Sequence, residues 1–219
     1  MERITAGMQE QIQEVLSDYG KIKERLTIRL CNKEKDREKL AQVIHRDFLD
    51  LAIMPYIDLG HITGFPAAAA IPQSMAAGLG LAEEQVVEDA LANSPKLHPA
   101  KVSPLSAMMD ELLQELGMPL YGPSDAGLSV ITTEGISYGA CAILYPGILA
   151  EMAQEKGADI LLIPSSVHEF LALADDGAMT KEELEALIRD VNRNEVAEGD
   201  VLSDNLYRFD RKTGEISRA

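Results

Sequence analysis

The feature that most constrains the fold is the order in which two kinds of apolar pattern follow each other along the chain. Short apolar or alternating runs, typical of strands, occur at residues 26–30, 50–57, 67–71, 128–133, 138–144, 159–163 and 167–173. Helical patterns occur at residues 4–20, 35–43, 82–93, 104–116, 146–156 and 180–194. Pairs of strands that alternate with single helices predict an α+β fold, in which helices pack on a mostly antiparallel sheet.

The clearest helical pattern spans residues 104–116. It begins after Ser103 with a proline at the first helical position and ends at Gly117. Its apolar residues recur every three or four positions, which predicts one buried stripe. The residues of that stripe are Leu105, Met108, Met109, Leu112, Leu113 and Leu116.

Other local signals place the ends and partners of elements. Thr180 and Glu183 have the spacing of a capping box, which predicts the start of the last helix. Residues 206–217 have the pattern of a small hairpin. Pro55 interrupts the run at 50–57, and we expect it at a sheet edge or bulge because proline has no amide hydrogen.

The composition is that of a folded globular protein. Hydrophobic residues make up 46% of the 219 residues and charged residues 26%. A chain of this length buries roughly 70% of the surface that its unfolded form exposes. Because no low-complexity linker interrupts the chain, we expect a single α+β domain over residues 1–219, with a subdomain break near residues 116–123.

Negative charge is concentrated toward the C-terminus. The formal net charge is −16, and residues 111–219 hold 20 of the 36 acidic but only 8 of the 20 basic residues. Such a field repels phosphate backbones, so direct binding of nucleic acid is not expected. A basic protein is the partner that this charge favours.

The chain carries no signal for a membrane or for export. No apolar run approaches the roughly 18 residues that a membrane span needs, and the N-terminus lacks the basic and apolar regions of a signal peptide. Cys31 and Cys141 lie in apolar, strand-like runs, where free thiols are usually buried. These features predict a protein of the reducing cytoplasm.

Four sequence blocks together resemble an uncharacterised family of bacterial proteins that is catalogued as a domain of unknown function. The blocks are FLDLAI at 48–53, GACAILYPG at 139–147, IPSSVHE at 163–169 and VLSD at 201–204. The resemblance covers about residues 21–214 and implies no activity, ligand or catalytic residue. Members of the family look longer at the N-terminus, so this chain is expected to lack that segment and to form a homo-oligomer that covers the exposed apolar surface.

The densest group of catalytic residue types is the run from Ser165 to Glu169. A serine hydrolase needs a hydroxyl near an imidazole that a carboxylate orients. In an extended segment Ser166 and His168 share one face and Glu169 takes the other, so a distant acid such as Asp204 would have to orient His168. The alternative is a turn between two strands, with the serine hydroxyls bonded to turn amides.

Metal and cofactor motifs are incomplete. In a His-Glu-x-x-His zinc motif beginning at His168, position 172 is alanine, so the second ligand is missing. Residues 176–183 match the second half of a calcium-binding loop, but alanines occupy the first two acidic positions. We therefore predict no metal site and no cofactor.

Three functional hypotheses remain open at this level. The leading one is a non-catalytic binding or interaction domain whose acidic C-terminal half meets a basic partner. The second is a serine-type hydrolase, with His168 as general base, Ser165 or Ser166 as nucleophile and Asp204 as orienting acid. The third is an inhibitor that mimics nucleic acid through its negative surface.

Overall fold

The computed structural model describes residues 5–64, 66–115, 127–135 and 137–219, and for residues 109, 111–113 and 115 it describes the backbone alone. The chain forms two compact units, Met1–Pro99 and Ala100–Ala219. The expectation of a single domain stays a prediction. The expected break near residues 116–123 lies outside the described residues.

The first unit combines short helices with a four-stranded antiparallel sheet. Its elements in chain order are α1 (Ala6–Leu16), α2 (Tyr19–Lys23), β1 (Leu26–Asn32), α3 (Arg37–Leu40), β2 (Arg46–Phe48), β3 (Leu51–Asp58), α4 (Gly60–Thr63), β4 (Ala68–Ala70), α5 (Gln73–Gly78) and α6 (Glu83–Leu97).

Strand β3 is the centre of this sheet. It pairs with β1 along one edge, while its other edge is shared by β2, opposite Leu51–Ile53, and β4, opposite Tyr56–Asp58. Pro55 lies between these two pairings, at the point where the partner of β3 changes from β2 to β4. The strand-like runs at 50–57 and 67–71 thus contribute β3 and β4, which pair with each other.

Helix α6 closes the outer edge of β1 with side chains. Ser94 Oγ accepts the Ile28 amide hydrogen at 3.3 Å and lies 3.0 Å from Thr27 Oγ1. Asn93 Nδ2 donates to the carbonyl oxygens of Glu24 and Leu26. Because Ser94 is fully buried, its hydroxyl satisfies the Ile28 amide, a backbone group that water cannot reach.

Asp89 of α6 anchors α2 in the same way. It is buried, and its carboxylate accepts hydrogen bonds from the Tyr19 hydroxyl at 2.7 Å and Gln85 at 3.1 Å and forms an ion pair with Lys23 at 2.9 Å. Burial raises the pKa of the carboxyl, but the bonds from Lys23, Tyr19 and Gln85 outweigh burial and leave the pKa below its ordinary value.

The second unit is built on a six-stranded antiparallel sheet. Its elements in chain order are β5 (Ala100–Pro104), α7 (Leu105–Glu115), β6 (Ser129–Thr133), a 3-10 helix (Gly139–Leu144), α8 (Ile148–Lys156), β7 (Ile160–Pro164), β8 (Phe170–Ala174), α9 (Lys181–Asn194), β9 (Tyr207–Phe209) and β10 (Ile216–Arg218). The strand order is β10-β9-β7-β8-β6-β5.

Strand β7 shows how this sheet is buried on both faces. Leu161 and Ile163 pack in one cluster with Leu184 and Ile188 of α9. Ile160 and Leu162 alternate with them, point to the opposite face and are fully buried. Two layers of side chains therefore sandwich this sheet, and the α+β prediction is confirmed as two antiparallel sheets with packed helices.

Two sequence predictions of local structure are wrong. Residues 138–144 were expected to form a strand, but Gly139–Leu144 is a 3-10 helix. A short, uniformly apolar run carries no periodicity that separates a strand from a buried helix. Gly20 was expected to end a single helix over residues 4–20, but it lies inside α2, which a second cap at Asp18 begins.

Both cysteines are buried thiols that form no disulfide. Cys31 lies in β1 as expected, whereas Cys141 lies in the 3-10 helix rather than in a strand. Burial raises the pKa of the Cys31 thiol to about 12, because a thiolate is disfavoured away from water. At neutral pH Cys31 is therefore a protonated, unreactive core residue.

Candidate functional site

The run from Ser165 to Glu169 forms the turn between β7 and β8, as the turn interpretation holds. Ser166 Oγ donates to Glu169 Oε1 at 2.9 Å and accepts the His168 amide hydrogen at 3.0 Å. Ser166 is only 7% exposed. Its hydroxyl bonds are thus made within the turn, while Ser165 beside it is half-buried.

The imidazole of His168 is held from two sides. Its Nδ1 accepts the backbone N–H of Tyr138 at 3.0 Å, and its Nε2 lies 3.7 Å from Asp200 Oδ1. Because Nδ1 is an acceptor, the hydrogen of the neutral ring is on Nε2 and faces Asp200. The Tyr138 ring lies beside it, with centroids 5.4 Å apart and planes at 51°.

Tyr138 has a left-handed backbone, with φ 59° and ψ 27°. This conformation costs a residue with a side chain about 1–2 kcal/mol. Its ring is 38% exposed, so burial of the ring does not account for the conformation. Backbone strain of this kind is concentrated at functional sites, where surrounding structure enforces it.

Gly139 is part of what enforces the conformation. A Cβ atom at this position would lie 2.2 Å from Thr132 Oγ1, 2.5 Å from the Thr133 amide nitrogen and 2.8 Å from the His168 carbonyl oxygen. The close approach leaves Thr132 Oγ1 free to donate to that carbonyl at 2.8 Å. Close packing at Gly139 therefore fixes the start of the 3-10 helix against β6 and against the His168 turn.

Asp204 is placed elsewhere in this unit's hydrogen-bond network. Its Oδ1 accepts from Asn192 Nδ2 at 2.7 Å, and the same amide also donates to the Ser203 carbonyl at 3.0 Å. The carboxylate beside His168 belongs to Asp200, whose own carbonyl accepts the Val167 N–H. The contact with Asp200 was not predicted, because nothing in the sequence around either residue signals a contact between positions 32 apart.

Ser166 does not make the contact to an imidazole that a serine hydrolase needs. The Ser166 hydroxyl hydrogen is directed to Glu169, and the near nitrogen of His168 accepts from a backbone amide instead of from a serine. A nucleophilic serine would have to direct its hydrogen to the imidazole. The arrangement instead presents an exposed phenol ring, an imidazole N–H and a carboxylate.

The chain after this turn adds further negative charge. Helix α9 ends at Asn194, and Glu195, Glu198, Asp200 and Asp204 follow it within ten residues. The C-terminus of a helix carries a partial negative charge of its own. Carboxylates at this end are electrostatically unfavourable for the isolated protein, and a bound cation would relieve that repulsion.

The remaining sequence motifs have local structural roles. Thr180 and Glu183 form the expected capping box of α9, and their hydrogen bonds hold the pKa of Glu183 below its ordinary value. Asp176 Oδ1 accepts the Ala178 amide hydrogen. In the described part of the chain, no group of three or more His, Cys, Asp or Glu side chains is arranged to hold a metal ion.

Comparison with known proteins places the chain in a family. The model of a family of unknown function matches residues 2–211. The chain belongs to DUF5688. The match with DUF5688 begins at residue 2 rather than near residue 21, and the expected lack of an N-terminal segment is not shown by it. No curated protein and no solved structure matches the chain. None of the described helices is long and apolar enough to cross a membrane.

Proposed function

We propose that this protein is a binding domain whose acidic second unit receives a basic segment of a partner protein, with Tyr138, His168 and Asp200 at the centre of the contact. The observation that carries the proposal is the exposed, strained Tyr138 held against the His168 imidazole, with a carboxylate on the other side of that imidazole.

The chemistry of the phenol ring and the carboxylate suits a guanidinium. An exposed phenol ring binds a cation over its face with about 0.5–1 kcal/mol. A carboxylate accepts two parallel N–H bonds from arginine. An arginine is thus recognised both by its flat face and by its edge, whereas a lysine ammonium offers only a point charge.

The charge of the unit supports the same partner. Its basic side chains Arg208, Arg211 and Arg189 already contact Asp159, Asp175 or Glu185. In the part of the chain that the structure describes, Glu195 and Glu198 form no ion pair with a lysine or arginine. A basic segment would neutralise this unpaired charge and would associate faster at low salt.

The test is binding of a fluorescent peptide that alternates arginine and glycine, measured by anisotropy at low and at physiological salt. We expect saturable binding that weakens with salt. Asp200→Asn and Tyr138→Gly should each weaken it about fivefold, or about 1 kcal/mol, since each removes one exposed contact to the cation.

The matched control is Glu215→Gln, which removes one charge from the β9–β10 hairpin and leaves the three central residues intact. It should change the affinity less than about twofold, because exposed charges beyond a Debye length are screened. Equal binding of the wild type and both site variants would overturn the proposed centre. An affinity that does not change with salt concentration would overturn the proposal that the partner is bound through its charge.

A further inference from the structure

In the first unit, the arginine before β1 lacks a counter-ion. Arg25 is half-buried, and its Nε is buried without a hydrogen-bond acceptor. Its Nη1 donates to His61 Nδ1 at 2.8 Å. Among the described residues, no carboxylate lies within ion-pair distance of its guanidinium.

An arginine in this state is unusual for so acidic a chain. The sequence offers 36 carboxylates, and a partly buried charge without a partner is unfavourable. A guanidinium has five N–H donors in a planar fork. The contact with His61 uses one of them, so further hydrogens on its two Nη atoms remain available.

The carboxylate opposite Arg25 on the neighbouring strand is already occupied. The Asp58 amide donates to the Arg25 carbonyl, so the two residues face each other across β1 and β3. The Asp58 side chain accepts the Gly60 amide hydrogen at 2.8 Å through Oδ1, and Oδ2 lies 3.0 Å from His98 Nε2. Both oxygens of the Asp58 carboxylate therefore have partners other than Arg25.

His61 completes a set of donors beside that arginine. Because its Nδ1 accepts from Arg25, the hydrogen of the neutral ring is on Nε2. The side chain is exposed, and this second nitrogen is a donor in both protonation states of the ring. Arg25 and His61 together present N–H groups of two side chains at the end of β3.

We propose that Arg25 and His61 form a binding site for a small oxyanion group, a phosphate or a carboxylate. The guanidinium supplies the charge and two hydrogen bonds to neighbouring oxygens, the geometry that makes arginine the usual binder of such groups. The His61 Nε2–H is the third donor. The site lies in the first unit and is independent of the binding proposed for the second.

The experiment is a titration of the full-length protein with inorganic phosphate, followed by NMR at the backbone amides of residues 60–62, with sodium chloride holding the ionic strength constant. We expect a saturable shift. Arg25→Gln should weaken the binding at least about tenfold, and His61→Gln about threefold, since they remove the charge and one donor respectively.

Two further variants, Arg25→Lys and Lys35→Gln, test whether phosphate binding needs the planar guanidinium of Arg25 or only a positive charge. Lys35 is an exposed cation before α3, and its loss should leave phosphate binding unchanged. Arg25→Lys keeps the charge and should bind phosphate less well than the wild type, because the planar fork is lost. Circular dichroism confirms that each variant is folded.

A parallel titration with acetate distinguishes the two sources of an oxyanion. Tighter binding of acetate assigns the site to a carboxylate ligand, and tighter binding of phosphate assigns it to a phosphate group. The proposal is overturned if neither anion gives a saturable shift, or if folded Arg25→Gln binds phosphate as the wild type does.

Discussion

The two units have similar architectures but use charged side chains differently. Each has an antiparallel sheet with helices packed on it, yet residues 1–99 hold 15 acidic and 11 basic residues, a net −4, whereas residues 100–219 hold 21 and 9, a net −12. In the first unit the buried carboxylate of Asp89 fastens helix to helix. In the second, carboxylates follow the exposed C-terminal end of α9, and the proposed binding of a basic partner depends on them.

Each unit also contains a residue with a strained backbone, and the two residues differ in their surroundings. Of the described residues other than glycine, one in each unit has a left-handed backbone, Leu49 with φ 57° and Tyr138 with φ 59°. Leu49 lies in the two-residue turn between β2 and β3, where a positive φ is what the hairpin requires. Tyr138 lies in no such hairpin, and its strained backbone instead donates a hydrogen bond to His168.

The largest expected effect is that of Gly139→Ala. Because the added Cβ collides with Thr132, with the Thr133 amide and with the His168 carbonyl, it should lower the free energy of unfolding by about 3 kcal/mol. Urea denaturation measures this loss. The control Gly199→Ala, where a Cβ meets nothing within 4 Å, should change stability by less than about 0.5 kcal/mol. Equal effects of the two variants would contradict the close packing at Gly139.

Ser94→Ala tests the corresponding polar anchor in the first unit. It removes the acceptor of the Ile28 amide and the partner of the Thr27 hydroxyl, so two buried groups are left unsatisfied. We expect a loss of about 1–3 kcal/mol in the free energy of unfolding. Ser74→Ala, at an exposed position of α5, is the control and should be close to neutral. A neutral Ser94→Ala would mean that water reaches the edge of β1.

The smallest expected effect is the gain in stability when backbone strain is relieved at Leu49 or at Tyr138. Leu49→Gly and Tyr138→Gly each relieve a left-handed backbone, so each should raise the free energy of unfolding by up to about 1 kcal/mol, less the entropy that glycine adds to the unfolded chain. Thermal unfolding gives the stabilities, and peptide anisotropy gives the binding. Only Tyr138→Gly should weaken binding of the arginine peptide. If Leu49→Gly weakens it equally, the strain at Tyr138 has no special role.

Sequence patterns were sufficient where a local signal marks the boundary of an element. Helix α9 follows from its capping box, and α8 ends before Gly157 in a left-handed cap, because these signals act within one turn of helix. The pairing of β3 with β4 follows from neighbouring runs on the chain. For α7 the backbone agrees with the prediction, while four of the six residues in its predicted stripe lie outside the described side chains.

Patterns failed where the decisive contact is distant in sequence. The run at 139–144 is a 3-10 helix because Gly139 packs on β6 and on a turn almost 30 residues later, and composition cannot show that. Asp200 rather than Asp204 reaches His168 because Asn192 holds Asp204. The hypothesis of an inhibitor that mimics nucleic acid depends on how acidic side chains are arranged in space, so it stays a prediction.

The side chains that α6 places along β1 also limit how copies of this protein can associate. A bare outer strand is a template on which a second chain adds its own strand, and many aggregates and some dimers grow in this way. Ser94 and Asn93 occupy the backbone groups of Ile28 and Leu26 that such an incoming strand would need. Along Leu26–Ile28, a homo-oligomer of this protein therefore cannot form by adding a strand to the first sheet without displacing these side chains.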